Sequence, residues 1–409
     1  MLYISTESTP NIIGLSETVQ DCVNKGIKLN DTTVLENQIR TEYDKALRTL
    51  RNVYGIDNPN SSKQVIDAFR ELASTTTPEI ANVCYDEKKD KWSTKADNLT
   101  ELIMLNIPIA ITLANYRTLN NVLSTIQSFR SLKDRNDCVH PLVSYGRTGR
   151  INYKEPALMN INKKVLWNIV TARDEDCVLY SIDIKNQEPW ILINMLDIEG
   201  LKDSLNPEKG LYESIYKLWY GKDFDDKVER SEFKRSWNAL TYGASKYGID
   251  RICKHIDSDI IYHNFNHIEE LKAYRKDCTS KGFKNVKYCK TIFGRELTCD
   301  APKGMALARQ HMDYPIQGTG VDILAFLNDN LFDKCEELGY SEMIKPYYFR
   351  HDECIIQVNE GIIDFLGQEK FEEFLRDTFE HQIDNWVPFN VEISEVKPTT
   401  DLNELLKEE

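Results

Sequence analysis

Two acidic residues, Asp183 and Asp352, each stand at the end of a short apolar run. The first run, Val178–Asp183, reads VLYSID. The second stretch, Tyr347–Val358, reads YYFRHDECIIQV, with apolar segments on both sides of Arg350, His351, Asp352 and Glu353. Aromatic and β-branched residues favour strands, so this stretch predicts a β-hairpin with its charge at the tip. Carboxylates at the ends of rigid strands are well placed to hold a divalent cation. Taken alone, the hairpin reads as a surface turn with ordinary acidic residues. A second acid with the same strand-end placement changes that balance. Two such acids on neighbouring strands would suit two Mg²⁺ ions roughly 3.5–4 Å apart, the arrangement that clamps the attacking and leaving oxygens in phosphoryl transfer.

A second group of residues suits an anion. In a helix expected at 229–242, Arg230, Lys234, Asn238 and Tyr242 fall four apart and form one stripe. Two cations at that spacing repel by roughly 0.2–0.5 kcal/mol, and cations at a helix N-terminus also oppose its dipole. Helix N-terminal amides and cations together would cradle a triphosphate. The alternative is a surface stripe compensated by Glu229 and Glu232. Arg309, Asp313 and Gln317 repeat the four-residue spacing on a helix starting near Ala306. Arg147, Arg150, Asn152 and Asn160 punctuate 143–161, expected as an extended, turn-rich loop able to reach phosphates or base edges.

The elements that must position these residues follow from periodicity. Helices are expected at 34–54, 63–74 and 108–131, the last preceded by a further long helix after the charged loop at 86–91. Asp183 ends a strand that leads into a helix whose first turn accepts Pro189. Residues 196–290 read as mostly helical, broken at 223–226. A hairpin at 291–299, an amphipathic helix at about 366–383 and a strand at 389–393 complete the pattern. Residues 1–25 are polar and carry no clear pattern.

Composition bounds the reading. A chain of 409 residues with 41% hydrophobic and 28% charged residues suits a soluble globular protein of two or three subdomains. No apolar run reaches the length of a membrane span, and no signal-peptide pattern opens the chain. Ten cysteines without a CxxC pair suggest reduced thiols and a cytoplasmic setting. His263 and His267 lack a third ligand nearby and read as surface residues. The net charge of −14 weighs against nucleic acid, although a basic groove can be cut into an acidic body. Lys281, Lys284, Lys287 and Lys290 form one local basic series.

Several of these stretches together carry a resemblance. TGRINYKEPALMNI, YSIDIKNQEPW, ERSEFKRSWNALTYG, PIQGTGVDI and RHDE occur in the order of the TGR loop, motif A, motif B, palm helix and motif C of family A DNA polymerases. LNDTTVLENQI, NPNSSKQVIDAF, DKWSTKADNLTELI and IAITLANYRTLNNVLSTI resemble the family's thumb and its lead-in. The resemblance spans roughly 26–395 and is closest to the bacterial polymerase I type, including phage enzymes.

That resemblance implies an α+β right hand: a palm with an antiparallel sheet, and helical fingers and thumb. The implied divisions are a lead-in at 1–60, thumb at 61–145, palm at 146–195 and 291–409, and fingers at 196–290. Asp183 and Asp352 would bind two Mg²⁺ ions, with Mn²⁺ as a substitute, assisted by the Ile184 carbonyl and with Glu353 nearby. Arg230 and Lys234 would hold the incoming dNTP, and Lys234 would protonate departing pyrophosphate. Tyr242 would stack near the templating pair, and Glu188 would be the steric gate against a 2′-hydroxyl. Arg150, Asn160, Arg309, Asp313, Gln317 and His351 would meet primer–template DNA.

The chain departs from the family pattern in places. Asn238 stands at a usually aromatic position, Asp313 at a usual Asn, Tyr212 at a usual His in the dNTP site, and Pro189-Trp190 where Leu-Arg is common. Nothing resembles the proofreading domain, so 3′–5′ exonuclease is expected to be lacking, with a separate exonuclease or processivity factor as a possible partner. The expected activity is template-directed addition of deoxynucleotides in replication or repair, with a phage setting, hence host cytoplasm, as the favoured role. The alternatives are a polymerase-derived DNA-binding or scaffold protein and a single-subunit RNA polymerase.

Overall fold

In a computed structural model, residues 1–87, 90–205, 210–399 and 401–405 are described. Part of the charged loop at 86–91 and the last residues of the final expected subdomain therefore lie outside the described residues. The chain divides into two compact units. One comprises 28–139, 160–171 and the C-terminal segment from 397; the other comprises 1–27, 140–159 and 172–396.

The first unit is helical. Its two long helices are α1 (Thr33–Tyr54) and α2 (Pro108–Leu132), packed against each other. Pro108 occupies the first turn of α2, where a missing N–H costs nothing. The sequence pattern marks Ile109, Ile111, Leu113, Tyr116, Leu119, Val122, Leu123, Ile126 and Phe129 of α2 as packing residues; all are buried except Ile111, which is half-buried. Tyr43 stacks on Tyr116 with ring centroids 4.9 Å apart. Buried Glu36 is held by Arg40 and Arg130, each at 2.7 Å. Asn160 belongs to this unit. The helix before α2, Ala96–Met104, has only nine residues rather than the long run expected.

The second unit is built on a four-stranded sheet. Its strands are β1 (Cys177–Ile184), β2 (Ile344–Arg350), β3 (Glu353–Asn359) and β4 (Val391–Glu395), in the order β2-β3-β1-β4. All neighbours are antiparallel. Helices α3 (Gln187–Met195), α4 (Leu211–Tyr220), α5 (Lys227–Thr241), α6 (Glu269–Phe283) and α7 (Met305–Leu338) follow β1. α7 runs 34 residues straight through Pro315 and packs along α6. They approach closely at Gly282, where an added Cβ would lie 2.6 Å from the Ala308 nitrogen and 2.7 Å from the Gly304 carbonyl.

Four sequence expectations change here. Residues 1–25 are ordered, not patternless: Leu2–Ile4 pairs in parallel with His381–Ile383, and Ile12–Lys25 is a helix packed on α7. A three-residue strand is too short to show a period, and only Leu15, Val19, Cys22 and Val23 of that helix are buried. The stretch at 143–161 is not an extended loop; it opens as an antiparallel hairpin, Leu142–Tyr145 with Ile151–Lys154. The helix expected at about 366–383 is Gln368–Phe379: Gly367 at φ +81° turns the chain between it and the preceding helix Glu360–Leu366, and His381–Ile383 is already the strand paired with Leu2–Ile4. The hairpin at 291–299 pairs Tyr288–Lys290 with Glu296–Thr298, so its strands are shorter and flank the turn. Among the described residues no helix is long and apolar enough to cross a membrane.

Candidate active site

The sheet brings the two aspartates to one end. In the ladder between β1 and β3, Glu353 lies opposite Asp183, and the Ile184 N–H donates to the Asp352 carbonyl at 3.3 Å. His351 and Asp352 form the hairpin tip, narrower than the four residues expected, since Arg350 and Glu353 already pair across the strands. His351 takes φ +53°, a left-handed conformation that a tight tip demands, and its ring nitrogen lies 3.4 Å from the Met159 carbonyl. Burial, and next the charge of Asp183, push the Asp352 carboxyl up to about 7. Two oxygen-donor acids held close enough that the charge of Asp183 opposes ionisation of Asp352, beside the Ile184 backbone, fit a hard dication such as Mg²⁺. Glu353 is placed differently. It is buried and accepts a hydrogen bond from the buried Ser181 hydroxyl, so it braces the sheet beneath the acids.

Glu188, in the first turn of α3, is the hub beside them. One carboxylate oxygen accepts from Arg150 and the other from the Tyr242 hydroxyl. Burial and the Glu188 charge together raise the Tyr242 phenol, keeping it a donor. The same two causes, in the same order, raise the buried Tyr212 phenol. Asp313 is pushed up to about 6, first by burial and then by Glu188. Arg309, Asp313 and Gln317 all lie on α7, so the expected stripe forms; Arg309 is exposed and Gln317 hydrogen-bonds Asp313.

The cationic stripe on α5 also forms, with Arg230 and Asn238 half-buried and Lys234 exposed. Two expectations about it do not hold. The amides at its N-terminus are not open to an anion, because the Asp226 side chain caps those of Val228 and Glu229. Nor do Glu229 and Glu232 compensate the stripe. Both are buried on the other side of the helix: Glu229 accepts from the Tyr216 hydroxyl, and Glu232 from the backbone N–H groups of Lys254 and His255. The counter-charge is Glu213 on α4, which binds the Arg230 guanidinium while that guanidinium sits 5.9 Å above the Tyr212 ring.

Sequence reasoning missed three residues. Ser181 and Glu213 lie within the expected strand and helical stretch but carry no distinguishing pattern. Arg295 is the third. From the 288–298 hairpin it bonds the Thr148 and Gly318 carbonyls at 2.9 Å each and pairs with fully buried Asp322 at 2.5 Å. It thereby ties the turn that presents Arg150 to α7. Gly149, at φ +90°, lets the turn pass close beneath that guanidinium. His263 and His267 are exposed and stack on each other 3.7 Å apart; no third ligand joins them among the described residues.

Comparison with known proteins places this arrangement. The profile described as DNA polymerase family A matches residues 30–398. A thermostable DNA polymerase I of Thermus filiformis is 22% identical over 88% of this chain and 43% of its own length. DNA polymerase I of Chloroflexus aurantiacus is 25% identical over 68% of this chain and 31% of its own. DNA polymerase theta of Drosophila melanogaster is 25% identical over 71% of this chain and 15% of its own. The chain thus spans less than half the length of these curated relatives. Among solved structures, the POL domain of Pol1 from M. smegmatis, in complex with DNA primer-template and dNTP, superposes with a TM-score of 0.74 at 20% identity. That likeness covers 94% of this chain and 69% of the other, and gives the right-hand polymerase fold.

Proposed function

We propose, from the premise that this chain belongs to DNA polymerase family A, that it adds deoxynucleotides to a primer 3′-hydroxyl under direction of a template. The observation that carries the proposal is the meeting of Asp183 and Asp352 at one end of the sheet, beside the Glu188 hub. Asp183, Asp352 and the Ile184 carbonyl would hold two Mg²⁺ ions, which, when bound, supply charge stabilisation for the oxygens of the transferring phosphoryl group. The remaining work falls to the protein. Arg230 and Lys234 on α5 bind and orient the triphosphate, and Lys234 gives a proton to departing pyrophosphate, a role its exposure at the middle of the stripe supports. The Arg230 guanidinium exchanges Glu213 for phosphate when the nucleotide arrives.

Glu188 sets the sugar pocket and excludes a 2′-hydroxyl, held in place by Arg150 and Tyr242. Arg150, Arg309, Gln317 and His351 contact primer–template DNA, with Asp313 adding a protonatable group beside Gln317, and Asn160 of the helical unit also meets the DNA. In this reading the helical unit supplies the thumb, α4 to α6 supply the fingers, and the sheet is the palm.

The test is extension of a labelled primer by one nucleotide in Mg²⁺. Asp183→Ala and Asp352→Ala should each lower the rate by about a thousandfold or more, several kcal/mol of transition-state stabilisation, while template binding persists. Extension by either variant at the wild-type rate overturns the assignment. Lys234→Ala should slow single-turnover chemistry as well as raise the KM for dNTP; a change in KM alone would leave Lys234 only a binding role.

A further inference from the structure

Between the two aspartates in the chain, Cys289, Cys299 and His311 converge. Their sulfur and ring-nitrogen atoms all lie within 4.8 Å of one another. The two sulfurs are 3.6 Å apart. Cys299 and His311 are buried, and Cys289 is partly open to solvent. The three side chains come from three pieces of structure: the first strand of the 288–298 hairpin, the residue just after its second strand, and the second turn of α7.

We propose that these three side chains form a zinc site, with solvent at the fourth position beside Cys289. The sulfur separation is the first support. Two thiolates on a tetrahedral zinc at about 2.3 Å stand roughly 3.8 Å apart, close to the distance here. The second is the imidazole. His311 Nε2 lies 3.0 Å from the Val286 carbonyl. A carbonyl only accepts, so Nε2 carries the hydrogen and Nδ1 keeps its lone pair. That is how ligand histidines are oriented, by donating their other N–H to a backbone carbonyl. The third is the chemistry of the donor set. Two sulfurs and an imidazole select a borderline-soft ion and not Mg²⁺.

A disulfide is the rival reading, and the register opposes it. Cys289 faces Leu297, and the Cys299 N–H continues the ladder to the Lys287 carbonyl at 2.7 Å. Cys289 and Cys299 are therefore diagonal neighbours on one face. Diagonal pairs have Cα atoms about 7–8 Å apart, beyond the range of about 4.4–6.8 Å that a disulfide spans. Cys278 supplies an internal control. It is buried on α6 and its Sγ donates to the His311 carbonyl at 3.3 Å, so it is close without belonging to the set. A bound ion would clip the hairpin to α7, on the side where α6 and α7 touch at Gly282.

The full chain, stripped of metal under reducing conditions, is titrated with Co²⁺ and followed by absorption. The expected result is stoichiometric appearance of a thiolate-to-cobalt charge-transfer band with tetrahedral d–d bands, both abolished by added Zn²⁺. Cys289→Ser and Cys299→Ser should each lose the charge-transfer intensity, and Cys278→Ser should retain it. Zn²⁺ should also raise the Tm of the wild type by several degrees and that of Cys289→Ser not at all, because an ion bound only by the folded state stabilises it. Cys289 is partly exposed, so this variant is expected to fold. Absence of the charge-transfer band in folded wild type, its survival in the two serine variants, or an intact mass lower by two hydrogens under mild oxidation without loss of fold would each overturn the proposal.

Discussion

Glu188 is held from both sides, and that fixes what its removal should do. Arg150 and the Tyr242 hydroxyl both point at its carboxylate, so truncation opens space and also frees two donors. Glu188→Ala should therefore raise ribonucleotide use relative to deoxynucleotide use by about ten- to a hundredfold in kcat/KM, measured by single-nucleotide extension. An unchanged ratio would remove Glu188 from the sugar pocket. Asp313 gives a prediction about stability. Its folded value of about 6 stands above that of an unfolded aspartate, so between about pH 4 and 6 the folded protein binds more protons than the unfolded chain. Stability contributed by this group is then lost as pH rises through that window. Asp313→Asn should flatten this part of the stability profile and raise stability at pH 8 by on the order of 1–2 kcal/mol, read from denaturant midpoints.

At the scale of elements, close backbone approach is the sharpest constraint. Gly282→Ala would drive a methyl group into the backbone of α7, which cannot move aside as a side chain could. The expected cost is about 1–3 kcal/mol, visible as a lower Tm with little change in KM for dNTP. What the sequence made legible belongs mostly to this scale. Asp183 and Asp352 were readable because one stands next to the last residue of a mostly apolar strand and the other at the tip joining two more, and the α5 and α7 stripes because a four-residue period survives any packing. The Asp226 cap was also local, yet the charge of Arg230 and Lys234 drew the reading towards an anion at the same helix end. Glu213, Ser181 and Arg295 were not legible, because each acts on a partner set by tertiary packing. Arg295 meets Thr148 from 147 positions away, and no local period encodes that.

At the scale of the whole molecule, the sheet is assembled from distant parts of the chain. Its inner strand β1 pairs with β3 on one side and β4 on the other, and both follow it by most of the fold. Ser181 and its partner Glu353 are 172 positions apart. Truncation before β4 should thus remove Val391 and Glu392 from β1 and abolish extension, even though both aspartates remain; extension assays on chains ending near residue 385 would check this. The same order has a consequence during synthesis. A ribosome adding roughly 5–20 residues per second leaves β1 without either neighbour for about ten to thirty seconds after it emerges. For that interval an apolar strand presents two bare edges to the cell, so the nascent chain, more than the finished protein, is where chaperones would be needed and where aggregation would begin.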